Sequence, residues 1–174
     1  MMVDSILRHF DRATPSQIED GSQWYLKANQ IARDMASESP YSVYRCAAII
    51  AKTSPRTNWG QNVKNAWQCV MGEEITGCLD MNRKGALQAR DGVVVFGPTA
   101  HKTAAFMANI LGDDYRVTVD TWAARVAGAE DADLSKAKDY AEVESAYCEA
   151  ACLRGVSPST MQAVTWVVAR GRAE

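Results

Sequence analysis

Histidine is nearly absent: His9 and His101 stand alone and build neither a zinc nor a haem signature. The cysteines form no pattern either. Cys46, Cys69, Cys78, Cys148 and Cys152 are odd in number and irregularly spaced, which argues against a disulfide framework. Cys148 and Cys152 lie four apart on a predicted helix and share a face. With no second Cys or His pair nearby, they read as buried small hydrophobes rather than metal ligands. No metal and no cofactor is expected. No apolar run approaches the roughly 20 residues of a membrane span. The opening MMVDSILRHFDR has only a short apolar patch and no small residues of the kind found at a signal cleavage site. The expectation is a soluble, cytoplasmic monomer with no membrane partner.

A strong charge bias is missing too. A net charge of −2 and a pI near 5.7 count against a protein that coats nucleic acid nonspecifically. The charge is unevenly spread, however. Between Tyr41 and Gly72 the basic residues Arg45, Lys52, Arg56 and Lys64 stand without acids, whereas Glu130, Asp131, Asp133, Asp139, Glu142, Glu144 and Glu149 dominate the stretch from Asp113 to Glu149. Such a molecule can turn a local cationic face to phosphate while staying acidic overall; ordinary solvated helix faces account for the same charges equally well.

What is present is a chain of 174 residues with 47% hydrophobic and 23% charged residues, one domain over 1–174 with enough length to bury a core. No repeat, linker or low-complexity segment divides it. The apolar periodicity predicts helices over Ser5–Arg12, Trp24–Met35, Ser42–Ile50, Trp59–Val70, Leu79–Ala89, Thr103–Leu111, Thr121–Val126, Leu134–Leu153 (one or two helices) and Thr160–Ala169. Thr14-Pro15-Ser16, Ser42 and Ser157-Pro158 are starts; Ser37–Pro40, Thr53-Ser54-Pro55 and Gly155 are stops, and Gly21 reads as an interruption. In the second helix Trp24, Leu26, Ala28, Ile31, Ala32 and Met35 are the apolar residues, and Val93-Val94-Val95 reads as a buried extended approach to Phe96. The segment from Ser42 to Ile50 is the most apolar and is expected to be the central helix. The fold class is all-α, a single compact multi-helix domain of about eight to ten helices.

The stretch Phe96–Val126 carries the functional reading. Phe96-Gly97-Pro98 opens it as a turn, Lys102 stands at the entrance of a helix, and Val117-Thr118-Val119 delivers Asp120 to the start of another. An amine and a carboxylate therefore lie at two helix beginnings, where side chains are fixed and backbone N–H groups are free.

These residues support a resemblance. Phe96-Gly97-Pro98-Thr99-Ala100-His101-Lys102-Thr103-Ala104 has the length and ending of the hairpin in the helix-hairpin-helix (HhH-GPD) DNA glycosylases. Val119-Asp120-Thr121 followed by Arg125-Val126 is similar to that superfamily's Val-Asp-Thr and Arg-Val. The eighteen positions from Lys102 to Asp120 match its endonuclease-III-like members, and Ile49-Ile50-Ala51 running into Ser54-Pro55-Arg56-Thr57 resembles the helix and loop that wedge beside an extruded base. The likeness covers about 41–126 and weakly the rest, with the terminal helices completing a second lobe. The arrangement also resembles small phage-encoded proteins, which would place the chain in a bacterial or phage-infected cell. Pro98 and Ala100 stand where the hairpin glycines would be, and Pro98 has no N–H to offer a phosphate. Trp122 replaces the histidine common after Val-Asp-Thr, and the four-cysteine iron–sulfur loop is lacking.

The resemblance implies an N-glycosylase/AP lyase acting on a damaged or modified base flipped out of DNA. Lys102 would attack C1′ and Asp120 would deprotonate it and steady the developing charge. Arg56, Thr57, Asn58, Gly97, Thr99, His101, Thr103, Trp122, Gln162 and Trp166 would contact DNA or the base, Trp122, Trp166 and Trp59 by stacking and Gln162 by reading an edge. Bland readings stand beside these: a surface lysine, an aspartate that only caps a helix, and tryptophans that are core. Two other functions fit the same residues, a phage DNA base-hypermodification enzyme that needs Asp120 but not Lys102, and a non-catalytic helical module binding DNA or a protein.

Overall fold

The computed structural model describes residues 1–173, and every regular element among them is helical. The order is α1 (Met2–Asp11), α2 (Pro15–Ser37), α3 (Val43–Thr53), α4 (Trp59–Val70), α5 (Asp80–Arg90), α6 (His101–Ile110), α7 (Thr121–Ala127), α8 (Ala137–Arg154) and α9 (Pro158–Arg170). None is long and apolar enough to cross a membrane.

Local chemistry sets most of the starts. Thr14 accepts from the Gln17 N–H while the Gln17 side chain accepts from the Thr14 N–H, a reciprocal cap with Pro15 at the first helical position. Ser42, Asn58, Asp120 and Ser157 cap α3, α4, α7 and α9 in the same way, each through one side-chain oxygen. Gly128, Gly155 and Gly171 end α7, α8 and α9 in the left-handed conformation, which costs a residue without Cβ little.

Two cores result. Cys46 through Ala51 of α3 are wholly buried, and α2, α4, α5 and α6 pack round them. The second core joins Ile6 of α1, Val117 and Val119, the small face of α7, Tyr140, Val143 and Tyr147 of α8, and Met161 of α9. Tyr140 ties the β-branched segment down: its hydroxyl donates to the Val117 carbonyl and accepts from the Val119 N–H, at 2.7 and 3.0 Å. Helix α6 contributes to both cores, Phe106, Met107 and Ile110 to the first and Ala105 to the second, and α2 packs along α9.

Several expectations change here. Gly21 does not interrupt α2, which runs through it; a Cβ there would lie 2.6 Å from the Val164 Cα, so the glycine marks the close crossing of α2 and α9. Val93 and Val95 are exposed, not buried, because this linker lies on the surface with no strand to pair with. Helix α8 is single and begins at Ala137, since Leu134–Lys136 belong to a turn held by Asp133, which accepts from the Ser135 N–H and hydroxyl. Cys148 is half-buried and Cys152 exposed, so the pair is not the buried couple its spacing suggests; α8 buries its Tyr140–Tyr147 face instead.

Candidate functional site

Where the two cores meet, α2, the α3–α4 loop, α6, the 118–120 segment and α9 enclose a cavity of about 180 Å³. For scale, a void of about 150 Å³ admits a benzene ring. Its wall is aromatic. The Trp24 ring centroid lies 4.9 Å from that of Trp59 and 6.0 Å from those of Phe106 and Trp166, and Tyr25 abuts Trp24 edge-on at 5.0 Å. Trp24 also donates its indole N–H to the Ala173 carbonyl at 2.9 Å, and the guanidinium of Arg170 lies 4.5 Å over the Trp166 ring.

Lys102 and Asp120, eighteen residues apart, both line this cavity. Lys102 is the second residue of α6, whose N-cap position is Ala100 and offers no side-chain cap. It forms no ion pair among the described residues. Asp120 is held far more tightly. One carboxylate oxygen accepts from the Ala123 N–H at 2.8 Å, capping α7, and the other accepts from the Trp166 indole N–H at 3.1 Å. A carboxylate has about four acceptor sites, so two remain for a ligand or water. The tertiary fold thus gives the cap a second contact from α9 and places the group in the wall of a cavity open to solvent on one side.

Of the other residues singled out in the sequence, Thr57, Asn58, Gln162 and Trp166 join the cavity wall. Arg56 stands outside it, exposed, in the left-handed region at φ 55°, and the next residues place Thr57 and Asn58 at the cavity. Asn58 spends its side-chain oxygen on the Gln61 N–H. Gly97 and Thr99 lie on an exposed turn closed by the Ala100 N–H on the Gly97 carbonyl. His101 leans on Tyr140, with ring centroids 5.4 Å apart, and reaches the Ser135 carbonyl at 3.2 Å. Thr103 is buried in α6 away from the wall, and Trp122 lies on the outer face of α7 under Arg125, 5.2 Å from its guanidinium. None of Arg56, Gly97, Thr99, His101, Thr103 and Trp122 lines the cavity.

Tyr25, Asn62, Thr118, Phe106 and Arg170 belong to the wall without having been singled out. Nothing local marks them: Tyr25 beside Trp24 and Asn62 within a polar helix look like ordinary helix residues, and only α2–α9 and α3–α4 packing turns them inward. Burial pushes the Tyr25 phenol well above its usual range, so it is a neutral hydrogen-bonding group here. The cationic stretch is also thinner than its composition suggests. Arg45 donates to the Arg90 carbonyl at 3.4 Å, and Lys52 donates to the Val95 carbonyl beneath the Phe96 ring, where burial lowers its pKa.

Residues 1–173 match the model of a family described as "Family of unknown function (DUF7178)". No curated protein and no solved structure matches the chain.

Proposed function

We propose that this chain, which belongs to the DUF7178 family, is a DNA base-processing enzyme that accepts one extruded base in the aromatic cavity and acts at its sugar. The observation that carries the reading is that Lys102 and Asp120 share one ring-sized cavity between the two cores, with Trp24, Trp59 and Trp166 in its wall. Extrusion costs a few kcal/mol, and stacking on aromatic side chains returns about 1–3 kcal/mol per base.

The resemblance to helix-hairpin-helix glycosylases supplies the reaction. Asp120 takes a proton from the Lys102 amine, whose nitrogen bonds to C1′. The glycosidic bond breaks with its electron pair on the base, which takes up a proton from water. Opening of the sugar ring leaves an imine between Lys102 and C1′, and loss of a C2′ proton then expels the 3′ phosphate. The exposed Gly97–Thr99 turn has Pro98 where an N–H would face phosphate, so grip on the strand falls to the cations beside the cavity that the reaction does not use, Arg56 and Arg170.

The test is incubation of the protein with uracil-containing, oxidised-pyrimidine and abasic-site duplexes in the presence of borohydride. The expected result is base release and a reduced covalent adduct that disappears in Lys102→Ala. No adduct and no base release from any of the three overturns the reading. A second version is favoured by the difference in anchoring between the two groups: Asp120 is fixed by two hydrogen bonds, while Lys102 has no ion pair among the described residues. In it Asp120 alone is essential, as in a base-modifying enzyme on the same fold. Loss of activity in Asp120→Asn with none in Lys102→Ala selects that version.

A further inference from the structure

The polar atoms of the cavity wall have a fixed hydrogen-bonding sense. Asn109 donates both side-chain N–H bonds to the Asp113 and Arg116 carbonyls, 2.8 Å each, so its oxygen must accept the Thr118 hydroxyl proton at 2.7 Å. Thr118 therefore has no proton for Tyr25. The Tyr25 hydroxyl donates to Gln162 Oε1 at 2.7 Å, which leaves Gln162 Nε2 as a donor without a partner among the described residues. On α4 the sense is reversed. Asn62 donates through Nδ2 to the Ile50 carbonyl and to Thr53 Oγ1, at 2.9 and 2.7 Å, so its Oδ1 is the atom without a partner among the described residues.

Both side chains are deeply buried, Gln162 with 4% and Asn62 with 1% of its surface exposed. Neither free atom is sealed in protein, and the cavity is the space both residues line. A buried amide group left unmatched costs about 1–3 kcal/mol, so one donor and one acceptor kept open in an aromatic enclosure describe a ligand with the complementary pair.

We propose that the cavity selects a neutral planar heteroaromatic ring bearing a ring N–H for Asn62 Oδ1 and a carbonyl for Gln162 Nε2, a cyclic amide of the uracil type. This deepens the base-processing reading, on which it rests only for the ring's arrival as part of DNA. Gln162 and Asn62 are then specificity residues, and Tyr25 is a positioning residue that sets the amide of Gln162.

The test uses the fluorescence of Trp24, Trp59 and Trp166, which line the cavity, in the full-length protein titrated with free uracil and with 1,3-dimethyluracil. Expected is saturable quenching by uracil, weakened at least about tenfold by the methyl groups that remove both N–H donors. Gln162→Leu should weaken uracil by a similar factor with its helical circular dichroism retained; the dimethyluracil comparison needs no variant and holds if Gln162→Leu fails to fold. No saturable quenching by uracil, or equal affinity for both rings, overturns the proposal. Uracil binding without processing of any duplex removes the DNA reading and leaves this one standing. Duplex processing unchanged by a folded Gln162→Leu does the opposite.

Discussion

Asp120 holds a helix and faces a cavity at once, and substitutions can separate the two roles. Asp120→Asn keeps an oxygen for the Ala123 N–H, so α7 should remain capped, but its NH2 then faces the Trp166 indole N–H, so stability should fall by about 1–3 kcal/mol while loss of the carboxylate abolishes the proposed chemistry. Asp120→Ala removes the cap as well, so it should lose about 1 kcal/mol more in a thermal or urea melt. Equal activity of Asp120→Asn and wild type would reduce the residue to a cap. Trp166→Phe tests the other oxygen: it keeps an aromatic face but drops the indole N–H. Turnover should fall roughly tenfold, with little change in KM, because one hydrogen bond to a charged group carries about 1.5–3 kcal/mol. An unchanged turnover number would remove Trp166 as a positioning residue.

At the scale of elements, the α2–α9 crossing has the least tolerance. A Cβ at Gly21 would fall 2.6–2.7 Å from Val164 backbone atoms, which cannot rotate aside. Gly21→Ala should therefore cost about 1–3 kcal/mol despite the better helix propensity of alanine; a rise in melting temperature would contradict the crossing. The same helices carry Trp24, Tyr25, Gln162 and Trp166, so a shift there is felt at the cavity. A second inter-element tie is at the surface, where Arg154 at the end of α8 grips both oxygens of Asp11 on α1 at 2.7 and 2.6 Å. Hydrogen bonding by Arg154 holds the Asp11 carboxyl below its usual range. A lowered folded pKa adds stability above the unfolded carboxylate range and loses it as the pH falls through the folded value. Asp11→Asn should therefore flatten part of the acid-side decline in stability and leave the neutral-to-alkaline profile shape alone, with a small amplitude because the pair is solvent-screened.

For the molecule as a whole, the question is how an acidic protein would hold DNA. Arg45 and Lys52 are committed to backbone carbonyls and Lys102 is the proposed nucleophile, so the cations left near the cavity mouth are chiefly Arg56 and Arg170. Two phosphate contacts give a slope of about −2 in log affinity against log salt concentration. Filter-binding or anisotropy titrations with an abasic duplex should show weak binding with that shallow slope. A slope near zero would mean that no phosphate is gripped, and one as steep as about −8 would require a cationic surface that these residues do not supply.

Local signals in the sequence determined the helices: Thr14-Pro15, Ser42, Asn58, Asp120 and Ser157-Pro158 start them, and Gly128, Gly155 and Gly171 stop them, because caps and left-handed glycines act within a few residues. The buried run in α3 and the place of Asp120 at the start of α7 were legible for the same reason. Gly21 was not, since whether a glycine breaks a helix or admits a neighbour depends on Val164, 143 positions away. Nor could spacing tell that Lys102 and Asp120 share a cavity whereas Gly97, Thr99 and Trp122 lie outside it. Capping is chemistry between chain neighbours, but a cavity is the space left where α2, α6 and α9 meet, and only long-range packing fixes which side chains border it.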